Sequence, residues 1–232
     1  MVRLRSSTIL TLLLLLFELL PAQHRQQKVT LFGSLTTTSK VYHHSKDSDP
    51  AIRNQYFSID EIWGIGIDYR FPVSDNQIEF GFSIEYLSAH TDKINLLDQS
   101  DQVKITDGYY SIPLEASSYF RIPIGIKPLN FYMGGGIGVY FGGRNLEIDG
   151  IKNHINTLTP GAGIHILTGF EYQITSNLSS RTEIKFRDIQ FSSQSDKIEL
   201  HNNSTLPFSI ESADSRVSID GLALYLGIVV RW

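Results

Sequence analysis

The sequence predicts an all-β protein, an eight-stranded antiparallel up-and-down transmembrane β-barrel. Three observations lead to this fold class. The final segment (GLALYLGIVVRW, 221–232) alternates an apolar row, which ends at Trp232, with a row of mostly small and polar residues. Seven earlier segments show the same period of two, which is the period of a β-strand. The connections between segments are short and long in turn, as in outer-membrane barrels with an even number of strands.

The predicted strands span residues 28–41, 59–71, 77–89, 109–122, 130–142, 161–174, 178–191 and 221–232. Long polar loops are predicted at 43–58, 90–108, 143–158 and 192–216, and the other connections are short turns. Pro113 lies within the fourth strand and predicts a bulge or a gap in the ladder, because proline has no N–H to donate. The apolar row of the seventh strand changes phase at Ile189 and Phe191, which predicts a bulge.

Residues 1–22 have the three zones of a secretory signal peptide. Arg3 and Arg5 form a basic start, residues 9–20 are mostly apolar, and Ala22 offers a small residue for cleavage. We therefore expect a cleaved segment, 1–22, followed by one outer-membrane β-barrel domain, 23–232. The alternative is a retained N-terminal helix anchor, for which the apolar block is short.

Composition excludes several classes of function. The formal net charge is −4 and the chain contains no cysteine. Without a basic cluster there is no electrostatic footprint for nucleic acid, and without cysteine there is no disulfide, thiol nucleophile or thiolate metal site. The glycine run at 134–138 is not followed by the helix that a phosphate-binding loop requires. We predict no cofactor, no metal site and no nucleic-acid partner.

The two faces of the predicted strands differ in a way that gives the barrel an inside and an outside. Charged residues share a phase with the glycines, which suits a narrow interior, and the apolar rows form the other face. A soluble lipocalin-like barrel, the alternative, would place its apolar rows inside. Aromatic residues beside the short turns lie in the apolar phase and predict a girdle at the membrane interface: Tyr69, Phe71, Phe80, Phe120, Phe131, Phe170, Tyr172 and Trp232.

Some stretches also resemble a known family. The YSIPL run at 110–114 with Tyr119, the glycine-rich segment FYMGGGIGVYFGG (131–143) and GAGIHILTGFEYQI (161–174) resemble the outer-membrane β-barrel domain family, which includes PorT-like proteins and small OmpA- and OmpX-like barrels. The resemblance implies an eight-stranded barrel in the outer membrane of a Gram-negative-type bacterium, and it implies no catalytic residues. From the predicted topology we also expect both termini in the periplasm. We expect outer-membrane lipid as a partner, and the barrel-assembly machinery acting through the C-terminal strand that ends in Trp232.

The inward phase predicts a charge network in the lumen. Acids and bases occur there in equal number, which suggests mutual pairing because charges removed from water need partners: Asp68, Arg70, Glu79, Glu85, Glu115, Arg121, Glu171, Arg181, Glu183, Lys185, Arg187 and Arg231. We expect His165 to pair with Glu171. An eight-stranded barrel is only wide enough for side chains to fill it, so we predict a plugged polar core.

The leading functional prediction is a non-enzymatic structural or surface-binding protein that acts through its long extracellular loops, toward an unidentified extracellular ligand. Residues 197–210 are apolar enough to extend a hairpin above the membrane. A narrow small-solute channel is the alternative, and it needs space left beside the glycines of the inward phase, Gly134, Gly136, Gly138, Gly161 and Gly163. A lipid-modifying enzyme is a third possibility, with polar loop candidates at 43–45 and at His201 and Ser204, although neither group has a catalytic spacing.

Overall fold

The computed structural model describes residues 27–74, 77–96, 102–148, 151–152, 155–195, 198–199, 209–210 and 214–232. The predicted signal peptide, His201 and Ser204 therefore lie outside the described residues. Nearly all of the described chain is β-strand. The strands are β1 (Lys28–Tyr42), β2 (Tyr56–Ser74), β3 (Ile78–Leu96), β4 (Gln102–Ile122), β5 (Leu129–Ile148), β6 (Ile151–Lys152), β7 (Ile155–Thr159), β8 (Gly161–Gln173), β9 (Leu178–Ser195), β10 (Ile198–Glu199), β11 (Ser209–Ile210), β12 (Asp214–Ile219) and β13 (Leu222–Arg231).

One short helix, α1 (Pro50–Arg53), lies between β1 and β2. It begins at Asp49, whose carboxylate accepts a hydrogen bond from the backbone N–H of Ala51 at 2.8 Å, as an N-cap residue does. In the described part of the chain no helix has the length and apolar character needed to cross a membrane.

The sheet closes on itself, which confirms the predicted barrel. Each strand pairs antiparallel with the next around the ring β1–β2–β3–β4–β5–β8–β9, and β12 with β13 forms the eighth position. The ring closes because β1 pairs with β2 on one side and with β12 and β13 on the other. At the C-terminus, the backbone of Trp232 exchanges hydrogen bonds of 3.1 and 3.2 Å with Gln27. Closure leaves the ring without an open edge.

Over the part of the barrel next to the short turns, the apolar rows face outward. Trp63, Ile137 and Ile164 expose 65%, 67% and 64% of their surface, whereas Asp68, Arg181 and Glu183 are buried inside. The predicted phase of these strands is confirmed. A lipocalin-like interior is excluded for this part, since that fold would bury the apolar rows.

The structure corrects the predicted loops, because the strands continue through much of them. β3 and β4 remain paired as far as Leu96 and Gln102, within the loop predicted at 90–108. β5 extends to Ile148, β9 extends to Ser195, and β12 begins at Asp214. The predicted hairpin at 197–210 has two described residue pairs, between β10 and β11. Strands of 18 to 21 residues, such as β9 and β4, exceed the roughly 9–11 needed to cross a bilayer, so the barrel continues beyond the apolar band.

In this extension the inner face of the barrel wall is apolar and the outer face is polar, the reverse of the part next to the short turns. The interior becomes a cluster of buried apolar residues, with Val41, Ile59, Ile62, Leu87, Ala89, Tyr109, Tyr140, Ile189, Phe191, Val217 and Ile219. At the same height the outward positions are polar, among them Ser58, His90, Asp188 and Gln190, all exposed. The extension is therefore packed like a soluble barrel, and its polar outer row is what made it resemble a loop in the sequence.

The bulge predicted in the seventh strand is wrong. β9 keeps a constant register with β8 and with β12 and β13, and Arg187, Ile189 and Phe191 all point inward. The strand does not change phase; the interior changes from charged to apolar.

The gap predicted at Pro113 is confirmed, because the β3–β4 ladder has no pairing between Glu85–Tyr86 and Ile112–Pro113 and resumes in the same register.

The change of phase occurs in β1 and β2 instead. The buried positions step from Thr36 to Ser39 in β1 and from Ile62 to Ile59 in β2. In the neighbouring eighth position of the ring, Ala223 pairs with Thr36 and Ser218 pairs with Lys40. The segment between Ala223 and Ser218 is therefore one residue longer than the segment of β1 that it faces. Glu61 lies at this step with φ +56°, in the left-handed region that costs a side-chain-bearing residue about 1–2 kcal/mol.

Glu61→Gly should stabilise the barrel by up to about 1 kcal/mol, because glycine adopts a positive φ without the steric cost. The measurement is the midpoint of urea unfolding in lipid vesicles. Asp60→Gly is the matched control, since it removes one acid at the neighbouring exposed position and should destabilise by roughly 0.5–1 kcal/mol. Equal destabilisation by both substitutions would contradict the assigned strain.

Candidate functional site

The candidate site is the charged lumen, which lies inside the part of the barrel that carries the outward apolar band. Its layer next to the short turns is built from the ends of β1, β3, β4, β8 and β13. The Lys28 ammonium lies 2.9 Å from Glu79 and 3.3 Å from Glu171. Arg121 pairs with the same Glu79, and Arg231 pairs with Glu171. Each acid in this layer therefore has at least two cationic partners, and Arg181 also lies 4.0 Å from Glu171.

The next layer contains Asp68 and Glu183, which share Arg70. The Arg70 guanidinium lies 2.7 Å from Asp68 and 2.9 Å from Glu183, and Arg181 approaches Asp68 at 2.5 Å. Arg70 also lies 3.5 Å from the centre of the Tyr119 ring, within the range of a cation–π contact. The ring and the carboxylates together hold this arginine in one orientation.

The third layer centres on Arg187, whose side chain is fully buried. It pairs with Glu85 and approaches Glu115 at 3.1 Å, while Lys185 lies 2.6 Å from Glu115. The tyrosine hydroxyls complete the layer: Tyr140 donates to Glu115 at 2.8 Å and Tyr225 donates to Glu85 at 3.1 Å. Above this layer begins the apolar cluster of the extension.

A further ion pair closes the interior beyond the apolar cluster. Arg144 binds Asp107 through two hydrogen bonds, of 2.8 and 2.6 Å, and donates to Ser215 at 3.2 Å. Sequence reasoning missed this pair because it assigned both residues to loops, although each continues the inward phase of its strand. It also missed Lys28, the first residue of β1, which is in phase with the buried Thr30.

The structure brings the predicted lumen residues together. Each predicted charge is buried except Arg121, whose side chain is 33% exposed at the mouth. The predicted His165–Glu171 pair is wrong, because Glu171 lies in the layer next to the short turns. His165 lies higher, with its Nε2 2.8 Å from the Ser117 hydroxyl and its Nδ1 3.9 Å from Glu115.

The space beside the inward glycines is filled. A methyl group at Gly138 would lie 2.7–2.9 Å from the Tyr140 ring and hydroxyl, so this glycine seats the tyrosine that reaches Glu115. At the other four inward glycines the corresponding carbon would overlap a backbone oxygen of a neighbouring strand: Gly134, Gly136, Gly161 and Gly163. These glycines allow neighbouring strands and the Tyr140 ring to approach closely.

Two cavities lie within the charged layers, and both are small. One measures about 20 Å³ and is bordered by Asp68, Arg70 and Tyr225 among others, and the second measures about 10 Å³ beside Lys28 and Glu171. A water molecule needs roughly 10–15 Å³ of such volume. Neither cavity has room for a solute.

Ser117, His165 and Glu115 lie next to one another in the lumen, with the histidine between the serine and the acid, as in a catalytic triad. The distance of 3.9 Å between Glu115 and His165 is too long for the hydrogen bond that would orient the ring. All three side chains are buried, and neither lumen cavity borders Ser117 or His165. Among the loop candidates at 43–45, the His43 ring stacks on Phe57, with ring centres 4.9 Å apart. Among the described residues no group of three His, Cys, Asp or Glu could hold a metal ion.

The predicted interface aromatics all lie on the outward face beside the short turns. Phe80, Phe120, Phe170, Tyr172 and Trp232 are exposed, and Tyr69, Phe71 and Phe131 are half-buried. Phe131 packs against Phe170 with ring centres 5.9 Å apart. Sequence reasoning missed a second set at the other edge of the apolar band, the exposed Trp63, Tyr86, Phe141 and Phe186.

Comparison with solved structures supports the fold. OprG of Pseudomonas aeruginosa, an outer membrane protein, superimposes with a TM-score of 0.54 at 12% identity, over 90% of this chain and 96% of that chain. A major outer membrane protein of Thermus thermophilus gives 0.46 at 11% identity, covering 89% and 99%, and Neisserial surface protein A gives 0.45 at 16%, covering 89% and 97%.

The chain thus has the fold of the small outer-membrane β-barrels. No protein-family model matches the sequence, and no curated protein matches it either. At these identities the similarity extends to the fold alone, and the role has to be argued from the residues of the barrel.

Arg187→Met should destabilise the barrel by about 3–5 kcal/mol, because Glu85 and Glu115 would lose the cation they share inside the lumen. The measurement is urea unfolding in lipid vesicles. Lys46→Met is the matched control: its exposed pair with Asp214, at 2.9 Å, should contribute about 0–1 kcal/mol. Adding Glu85→Gln to Arg187→Met should recover part of the loss, and the absence of any recovery would argue against the pairing.

Proposed function

We propose that this chain is a non-enzymatic outer-membrane protein with a closed lumen, which presents the outer surface of its extracellular extension for structural or binding roles. The observation that carries the proposal is the filled interior. Three layers of ion pairs are followed by an apolar cluster and then by the Arg144–Asp107 pair. A solute would have to displace all of these, and each broken buried pair would leave a charge without a partner.

The location in the membrane follows from the outward surface. A continuous apolar band between two sets of exposed aromatic side chains has the character of the lipid-facing wall of a transmembrane barrel. The fold shared with OprG supports this location. We propose that residues 1–22 direct export, that both termini lie in the periplasm, and that the strand ending in Trp232 is the one that the barrel-assembly machinery engages.

The extension replaces the long loops as the candidate binding surface. Its outer face is polar and its interior is packed, so it is a rigid platform rather than a set of free loops. Binding residues on a rigid scaffold lose little conformational entropy when a ligand binds. We propose the outward faces of β1, β2, β9 and β12 as the surface available for recognition.

The refolded chain 23–232 should give no conductance steps in a planar bilayer, because ion pairs and the apolar cluster fill the lumen formed by the described strands. Insertion is checked first by protease protection in vesicles, and a known porin in the same bilayer serves as the positive control. Arg187→Ala should remain silent, since the apolar cluster above it still closes the interior. Discrete steps from the parent chain, or steps that grow in Arg187→Ala, would favour a gated small-solute channel instead.

Leu224→Arg should reduce the free energy of unfolding in vesicles by about 2–4 kcal/mol, because it places a charge on the outward face within the apolar band. Ser58→Arg is the matched control, since Ser58 is exposed on the extension, and it should change stability by less than about 0.5 kcal/mol. If both variants fold and insert as the parent does, the proposed membrane location is wrong.

A further inference from the structure

A cluster of cations and tyrosines lies on the outside of the extension, where β1, β2 and β12 meet. We name it the cation–tyrosine cluster, and it consists of Lys40, Tyr42, Tyr56 and Arg216. The strand register brings these residues together: Tyr42 pairs with Tyr56 on one side and with Arg216 on the other. The cluster belongs neither to the lumen nor to the apolar band.

The contacts form a continuous row. The Arg216 guanidinium lies 4.1 Å from the centre of the Tyr42 ring, and the Tyr42 and Tyr56 rings are 5.4 Å apart. The Lys40 ammonium lies 5.7 Å from the centre of the Tyr56 ring. Tyr56 is 52% exposed, whereas Tyr42 and Arg216 are half-buried. The row therefore has a cation at each end, Arg216 on Tyr42 and Lys40 beside Tyr56, and Tyr56 is its most exposed ring.

The two cations differ in whether an acidic side chain already pairs with them. Lys40 is 2.6 Å from Asp220, and this hydrogen bond raises the pKa of Lys40, so it stays charged. Arg216 has no ion pair within the described part of the chain, and its buried Nε has no hydrogen-bond partner. A guanidinium is planar, and stacking on a ring fixes its orientation, which suits bidentate binding of a phosphate or carboxylate.

The height of the cluster narrows the choice of ligand. Arg216 in β12 precedes Leu222, the exposed apolar residue at which β13 begins, by six residues. With a rise of about 3.3 Å per residue and a tilt of about 40°, Arg216 lies roughly 15 Å above the apolar band. Phospholipid headgroups extend only about 5–8 Å beyond the hydrocarbon, so an ordinary phospholipid does not reach it.

We propose that the cation–tyrosine cluster binds the phosphorylated sugar headgroup of an outer-leaflet glycolipid. A saccharide that rises from the membrane passes the cluster, where a sugar ring can lie on Tyr56 and a phosphate can accept hydrogen bonds from Arg216. This inference rests on the proposed membrane location. Asp60 and Glu61 are exposed nearby, so the surface has no general positive potential and recognition depends on the stacked arginine.

The test counts glycolipid retained by the barrel. The parent chain is placed in phosphatidylethanolamine nanodiscs that contain rough-form lipopolysaccharide, and native mass spectrometry measures the bound fraction over a concentration series. Arg216→Gln should weaken retention about tenfold, and Tyr42→Leu should weaken it similarly because the guanidinium loses its support. Arg53→Gln, which removes a cation from α1 without an aromatic contact, should leave retention unchanged.

Dephosphorylated lipopolysaccharide should bind about tenfold more weakly to the parent, and phosphatidylglycerol should not be retained. Equal retention by the parent and Arg216→Gln would overturn the proposal, as would retention of phosphatidylglycerol equal to that of the glycolipid. Protease protection reports insertion separately. A barrel that inserts but retains no glycolipid contradicts this inference alone, whereas a barrel that does not insert contradicts the proposed function.

Discussion

The width of the closed ring is the constraint on which the rest of the structure depends. Eight strands enclose a space that side chains fill, so each inward residue must find its partner across the lumen or beside it. In the membrane part this is done with charges and tyrosine hydroxyls, for example around Arg187, where two acids and Tyr225 meet. Burying one of these charges without the others would leave it unpaired, which is why acids and bases occur together on the inward phase.

The polarity of the two faces of the barrel wall is exchanged along the length of the barrel, so the same ring suits lipid in one part and water in the other. Below the step at Glu61 the apolar side chains face outward and the interior is ionic. Above it the interior contains Ile59, Ile189 and Phe191, and polar residues face outward. Because the hydrogen-bonded ladders continue through this change, the extension is rigidly joined to the membrane part. Because side chains fill the described interior, we propose the outer surface as the part of the molecule that meets a partner.

The outward cation–tyrosine cluster is a consequence of that exchange. The step in β1 and β2 turns Lys40, Tyr42 and Tyr56 outward, whereas an uninterrupted alternation would have buried them. Cross-strand pairing then brings Arg216 over Tyr42. Lys40 and Arg216 are 176 positions apart in the sequence, and only the closure between the first and last strands brings them together.

The sequence by itself determined the barrel, the outward face of its apolar rows and the identity of most lumen charges, because alternation with a period of two is a local property that survives in the membrane part of the strands. It misjudged the extension, where the polar outer row of residues such as Asp188 and Gln190 looked like loop, and it read the apolar Ile189 as a bulge. Only the tertiary structure decided which charge pairs with which, that Lys28 belongs to the network, that His165 meets Ser117, and that neighbouring strands and Tyr140 pack against the inward glycines. Those outcomes depend on strand register and on contacts across the lumen. Both are non-local, so they cannot be predicted from the local sequence pattern.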